Sequence, residues 1–148
     1  MDYIQSVMKY AHRDLKSANI LVNNALFAYL FIFYKLDQFY HVKVSDFGIS
    51  KDLTKNNIYT KNVYGTEAWS APEYLTSNRT EERSEKGDVF AFGVILWELL
   101  TRSIPWHGVS GSAIKKRVKR GEKLQVPDTC DSFFTSVIEK CWNNGKYA

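Results

Sequence analysis

An α+β fold, mainly helical, is what the sequence predicts, and three features carry that expectation. Two short β-branched runs stand early in the chain, a long polar stretch without periodicity follows, and helical patterns fill most of the remainder. Ile20-Leu21-Val22 and Val42-Lys43-Val44 read as strands flanking a turn, the second with apolar and polar residues alternating. From Asp46 to Trp69 periodicity vanishes, and a loop of that length inside a domain is more often functional than idle. After Ala71-Pro72-Glu73 the character turns helical. Asp88 can cap a segment Val89 to Leu100 (VFAFGVILWELL) that is apolar nearly all round, as a helix buried in the middle of a domain must be. Ser112 to Arg120, closed by Gly121, reads as a short basic helix, and Asp131 to Trp142 as an amphipathic one.

The 148 residues are enough for one domain, or a piece of one. A 45% hydrophobic and 24% charged composition is that of a folded globule rather than a disordered tail. The net charge of +4 is too small to imply nucleic acid, since a single helix face could supply it. Cys130 and Cys141 are too few for a disulfide framework and lie in no ligand-spaced pair, so both are expected as buried thiols. Met1-Asp2-Tyr3 does not open a signal peptide, and the ten apolar residues from Ala25 to Tyr34 fall short of the roughly 18 that cross a bilayer. No membrane span and a cytoplasmic setting are the default expectations.

The motifs come in a fixed order. His12-Arg13-Asp14-Leu15-Lys16-Ser17-Ala18-Asn19 fits H-R-D-L-x-x-x-N, Asp46-Phe47-Gly48 is D-F-G, and Ala71-Pro72-Glu73 is A-P-E. On these residues the chain resembles the protein kinase family, and specifically its C-terminal lobe, over nearly its whole length apart from the apolar run. Asp88-Val89-Phe90-Ala91-Phe92-Gly93 is similar to the family's D-x-W-x-x-G with Phe in place of Trp, and Cys141-Trp142 to its late C-W pair. The resemblance implies the fold as a partial kinase domain over 1–148, with a short β-hairpin beside the catalytic loop and no N-terminal β lobe.

It also implies the chemistry. Phosphoryl transfer needs a carboxylate that takes a hydroxyl proton and holds that oxygen in line with the γ-phosphorus, which points to Asp14. Magnesium takes hard oxygen donors, here the amide oxygen of Asn19 and the carboxylate of Asp46. Lys16, two residues past the base, is implied as a contact of the moving phosphoryl group. The cofactors are thus ATP and Mg2+, and the partner is a protein substrate. His12 reads as a structural residue bonded to backbone, and Arg13 as the partner of a phosphate acquired on the long loop. That loop offers Thr54, Tyr59, Thr60 and Tyr64 as hydroxyls, any of which could order it once phosphorylated.

Substrate class is read from the same resemblance. Gly65-Thr66 ahead of the A-P-E, with Lys16 in the catalytic loop, is similar to serine/threonine kinases, whereas DVFAFGVILWELLTRSIPW looks like tyrosine kinases. That mixture is shown by the tyrosine-kinase-like group of serine/threonine kinases. A tyrosine or dual-specificity kinase is one alternative, and a non-catalytic kinase-like binding module or scaffold another. Lys115-Lys116-Arg117 and Lys119-Arg120 form a basic helix face that is either solvated or docks an acidic partner.

Two features set the chain apart from the family pattern. The Gly-rich loop, the V-A-I-K lysine and its glutamate partner precede the catalytic loop in the family, yet 11 residues precede His12, so the chain is expected to be inactive alone. The family arginine that pairs with the A-P-E glutamate would fall just past Ala148, leaving Glu73 unpaired, a defect of about 3–5 kcal/mol where such a charge is buried. Asn19 and Asp46 stand 27 positions apart, although two strands and a tight turn need about a dozen, so roughly 14 residues are surplus. Positions 25–40 hold seven of the chain's 22 aromatic residues at a hairpin tip. Three readings remain open for this insertion: translated non-coding sequence, an apolar docking tip, or an extra buried strand or helix.

Overall fold

The computed structural model describes residues 10–22, 42–46, 51–52, 66–76 and 85–143. The apolar insertion at 25–40 lies outside them. Two small sheets come first. Strand β1 (Tyr10–Ala11) pairs antiparallel with β4 (Lys51–Asp52), and β2 (Ile20–Val22) pairs antiparallel with β3 (Val42–Val44) in the register Ile20 to Val44 and Val22 to Val42. The hairpin strands fall where the β-branched runs predict. The pairing of β1 with β4 does not follow from the sequence, which puts Lys51 and Asp52 inside the long loop, because a two-residue strand has no alternation to read.

Helices make up the rest of the described chain. Helix α1 (Pro72–Thr76) opens on proline, whose missing amide hydrogen costs nothing in a first turn. Helix α2 (Glu85–Thr101) begins four residues earlier than the capping argument for Asp88, which starts it at Val89, places it. It buries Asp88, Ala91, Gly93, Val94, Ile95 and Trp97, while Phe92 stays 37% exposed. Helix α3 (Gly111–Lys119) is capped by Ser110, whose hydroxyl accepts from the Ala113 amide at 3.3 Å. Gly121, with φ of +83°, follows it in the left-handed region that glycine tolerates. Helix α4 (Ser132–Asn143) starts one residue after Asp131, whose carboxylate accepts from the Phe133 amide at 2.8 Å.

Helix α2 is the centre of the packing. Leu15, Ala91 and Ile95 form a buried cluster covered by Ile20, Val44, Trp69 and Leu99, which ties the segment between β1 and β2 to the helix. On another side α4 approaches so closely at Gly93 that a Cβ there would stand 2.7 Å from the Cys141 Cβ. Phe90 and Trp142 meet across the same contact with ring centroids 6.3 Å apart and planes tilted by 34°. No helix among the described residues is long and apolar enough to cross a membrane.

Candidate active site

The segment between β1 and β2 has few backbone bonds of its own, so its shape comes from elsewhere. Asp88 supplies it. One carboxylate oxygen accepts from the His12 amide at 2.7 Å and the other from the Arg13 amide at 2.8 Å. Arg13 takes a φ of +71°, an uncommon conformation for a residue with a Cβ, and the bond to its amide holds it there. Asp88 is therefore no helix cap: its side chain is spent on a loop 75 residues away. Burial pushes its carboxyl above the ordinary aspartate range, and the two amide donors pull in the other direction.

His12 is fully buried and bonded on both ring nitrogens. The Asp14 amide donates to Nδ1 at 3.3 Å, and Nε2 lies 2.8 Å from the Ser45 carbonyl. A nitrogen that accepts from an amide carries no proton, so the hydrogen sits on Nε2 and is donated to Ser45. The ring thus joins the catalytic loop to the residue before Asp46.

Asp14, Lys16 and Asn19 are brought together. Lys16 Nζ lies 3.0 Å from Asp14 Oδ2. Asn19 Nδ2 donates to the Asp14 carbonyl at 2.8 Å and reaches the same Oδ2 at 3.5 Å. The 3-10 turn Ser17–Asn19 makes this possible by folding Asn19 back, its amide donating to the Lys16 carbonyl at 2.9 Å. Asp14 Oδ1 is buried and has no hydrogen-bond partner among the described residues. A buried acceptor without a donor is costly in a purely structural residue and is the arrangement a proton acceptor requires. Asp14 lines a cavity of about 20 Å³ together with Arg13, Thr66, Ser70 and Tyr74. Thr66 is buried, and its carbonyl accepts from the Ser70 hydroxyl at 3.0 Å.

Asp46 is exposed with a φ of +61°, at the end of β3. Its neighbour Ser45 donates twice to the Asn19 carbonyl, from the amide at 2.8 Å and the hydroxyl at 3.1 Å. Two predicted metal ligands are therefore tied through one residue. Because the Asn19 amide nitrogen is committed to Asp14, its oxygen is the atom left for a cation. An amide oxygen plus a carboxylate is a hard donor pair that fits magnesium. Among the described residues there is no cluster of three or more His, Cys, Asp or Glu, so any metal here needs other ligands as well.

Glu98 is a site residue that the sequence reading missed. One carboxylate oxygen accepts from the Ser17 hydroxyl at 3.1 Å and the other from the Trp69 indole at 2.8 Å. Helix α2 thereby joins the catalytic loop to the turn ahead of Ala71. Burial raises the Glu98 carboxyl above the ordinary glutamate range, against the pull of both donors. A signal was present: a lone carboxylate inside VILWELL must find donors if its helix is packed.

Glu73, on α1, is half-buried and makes no ion pair among the described residues, so the full cost of a buried unpaired charge does not apply. Phe47, Gly48 and the hydroxyls of Thr54, Tyr59, Thr60 and Tyr64 lie outside the described residues.

Known proteins are similar to this chain over most of its length. The profile of the family described as protein tyrosine and serine/threonine kinase matches residues 1–147. Mitogen-activated protein kinase kinase kinase 13-B of Xenopus laevis is 42% identical over 146 residues, covering 97% of this chain and 13% of that protein. Serine/threonine-protein kinase CTR1 of Arabidopsis thaliana is 38% identical over 134 residues, covering 90% and 14%. The probable serine/threonine-protein kinase drkD of Dictyostelium discoideum is 36% identical over 131 residues, covering 88% and 9%. The chain thus spans a small fraction, 14% or less, of the length of these relatives. With all but its last residue matched, and its relatives drawn from serine/threonine kinases of the tyrosine-kinase-like group, the chain belongs to the protein kinase family.

Proposed function

We propose that these residues form the catalytic-loop portion, in the C-terminal lobe, of a serine/threonine protein kinase that moves the γ-phosphoryl of ATP to a protein hydroxyl. The observation that carries the reading is Asp14, with one carboxylate oxygen bound to Lys16 and the other buried without a donor among the described residues. Asp14 Oδ1 takes the hydroxyl proton as the substrate oxygen bonds to the γ-phosphorus and the bond from that phosphorus to the bridging oxygen breaks, releasing ADP. Lys16, already beside that carboxylate, offers its cation to the phosphoryl oxygens. Asn19 and Asp46 would hold magnesium through the amide oxygen and the carboxylate, and the ion would there spread the charge of the phosphates. His12, Arg13 and Asp88 keep the loop in shape, with Thr66 beside the base in the shared cavity. The setting that supplies ATP and keeps Cys130 and Cys141 as thiols is the cytoplasm.

The 148 residues contain no Gly-rich phosphate loop and no V-A-I-K lysine, so they provide the base and metal half of the reaction and not the ATP clamp. The competing reading is a kinase-like binding module that uses the same substrate-facing surface without transfer. The two are separated by joining the chain to the segment that precedes the matched region in the Xenopus relative. Transfer to serine or threonine of a generic protein substrate, lowered about 10²–10⁴-fold by Asp14→Asn, supports the kinase. Transfer that survives Asp14→Asn removes Asp14 as base, transfer to tyrosine corrects the substrate class, and none at all favours the module.

A further inference from the structure

The catalytic reading leaves the basic helix unused. At about 100° per residue, Lys115, Lys116 and Lys119 share one stripe of α3, and Arg120 extends it at the C-cap. Ile114 and Val118 fall on the opposite side, with Ile114 buried against the protein. All four cations on the stripe are exposed. Counter-charges are few: Lys115 lies 3.8 Å from Glu67, and Arg117, off the stripe, lies 3.9 Å from Glu122. Lys116, Lys119 and Arg120 have no ion pair among the described residues. Cations in a last turn stabilise the helix through its dipole, which accounts for positive charge there but leaves three cations without a carboxylate. The helix also sits against the turn Glu67–Trp69, so the Lys115 edge of the stripe borders the residues just ahead of Ala71-Pro72-Glu73.

We propose that the outer face of α3 docks an acidic segment of a protein partner, with Lys116, Lys119 and Arg120 as its contacts. Nucleic acid fits less well. The stripe from 116 to 120 rises about 6 Å, too short to follow a phosphate backbone whose affinity grows with each phosphate engaged. No aromatic residue stands on it to stack a base, and Glu67 and Glu122 border it with negative charge. A lipid surface would need an apolar wedge, and the apolar residues of this helix face inward. That the partner is the phosphorylated substrate rests on the function proposed above; the docking itself does not.

The test is a titration of the 148-residue chain with a fluorescent peptide rich in Asp and Glu and free of Ser, Thr and Tyr, so that phosphorylation plays no part. The peptide is expected to bind, to weaken as salt rises from about 50 to about 300 mM, and to lose about three- to tenfold in affinity in K116Q/K119Q. The variant K86Q/K140Q removes the same charge from α2 and α4 and is expected to bind like the parent. Carbodiimide coupling is expected to join peptide carboxylates to Lys116 or Lys119. Equal loss in both double variants, coupling confined to other lysines, no preference over an uncharged peptide, or stronger competition by single-stranded RNA of equal charge would each overturn the proposal.

Discussion

The catalytic loop and helix α4 both lean on α2, and they do so by opposite means. The loop is held by carboxylates: Asp88 takes the His12 and Arg13 amides, and Glu98 takes the Ser17 hydroxyl and the Trp69 indole. Helix α4 satisfies most of its backbone internally, so it needs only a cap at Asp131 and a close apolar approach at Gly93. An irregular segment has no ladder of its own and must borrow acceptors from a rigid neighbour, and a helix has no such need. Charge buried in α2 is thus the cost of shaping a loop.

That contrast can be broken at its strongest point first. Asp88→Ala leaves two buried amides without an acceptor and is expected to cost about 2–5 kcal/mol in chemical denaturation. Asp88→Asn keeps one acceptor oxygen and should lose about half as much. If Asp88→Ala unfolds like the parent, the carboxylate does not shape the loop. Gly93→Ala tests the other side: a methyl pressed to 2.7 Å from Cys141 is expected to cost about 1–3 kcal/mol by overpacking. An unchanged midpoint there would mean that α4 moves away freely. Asp131→Ala removes the cap of α4 and should cost about 1 kcal/mol, with the loss confined to amide exchange in the first turn of that helix.

The smallest effect concerns Glu98 and has a definite sign. Its carboxyl is raised by burial, so above the ordinary glutamate range the folded state still holds a proton that the unfolded state has released. Stability attributable to this group is then highest below that range and falls as pH rises through it toward the raised value. Glu98→Gln cannot titrate, so its melting temperature should fall less than the parent's over the same rise. Asp88 is shifted in the same direction and keeps part of the slope in both proteins. Parallel profiles would show that Glu98 is not perturbed.

Much of this was legible from residues alone. The strands at Ile20–Val22 and Val42–Val44 and the three longer helices follow from β-branched runs and 3.6-residue spacing, with ends displaced by one to four positions. The ordered motifs single out Asp14, Asn19 and Asp46 as candidates, and the fold adds how Asn19 bonds to Asp14 and Ser45 to Asn19. What pattern could not deliver was partnership across distance. Asp88 looked like a cap because a helix begins near it, but the same carboxylate is claimed by residues 75 positions earlier. Lys51 and Asp52 carry no strand signal, since their pairing with Tyr10 and Ala11 is decided by the return of the chain.

The spacing of Asp88 and Glu98 on one helix has a consequence for how such a chain can vary. Ten residues of α2 separate them, about 15 Å of continuous helix. A single residue inserted or deleted between positions 89 and 97 would swing one carboxylate about 100° around the axis relative to the other. Either the amides at 12 and 13 or the donors at 17 and 69 would then lose their acceptor. Length changes are therefore barred from this stretch even where every individual side chain tolerates replacement.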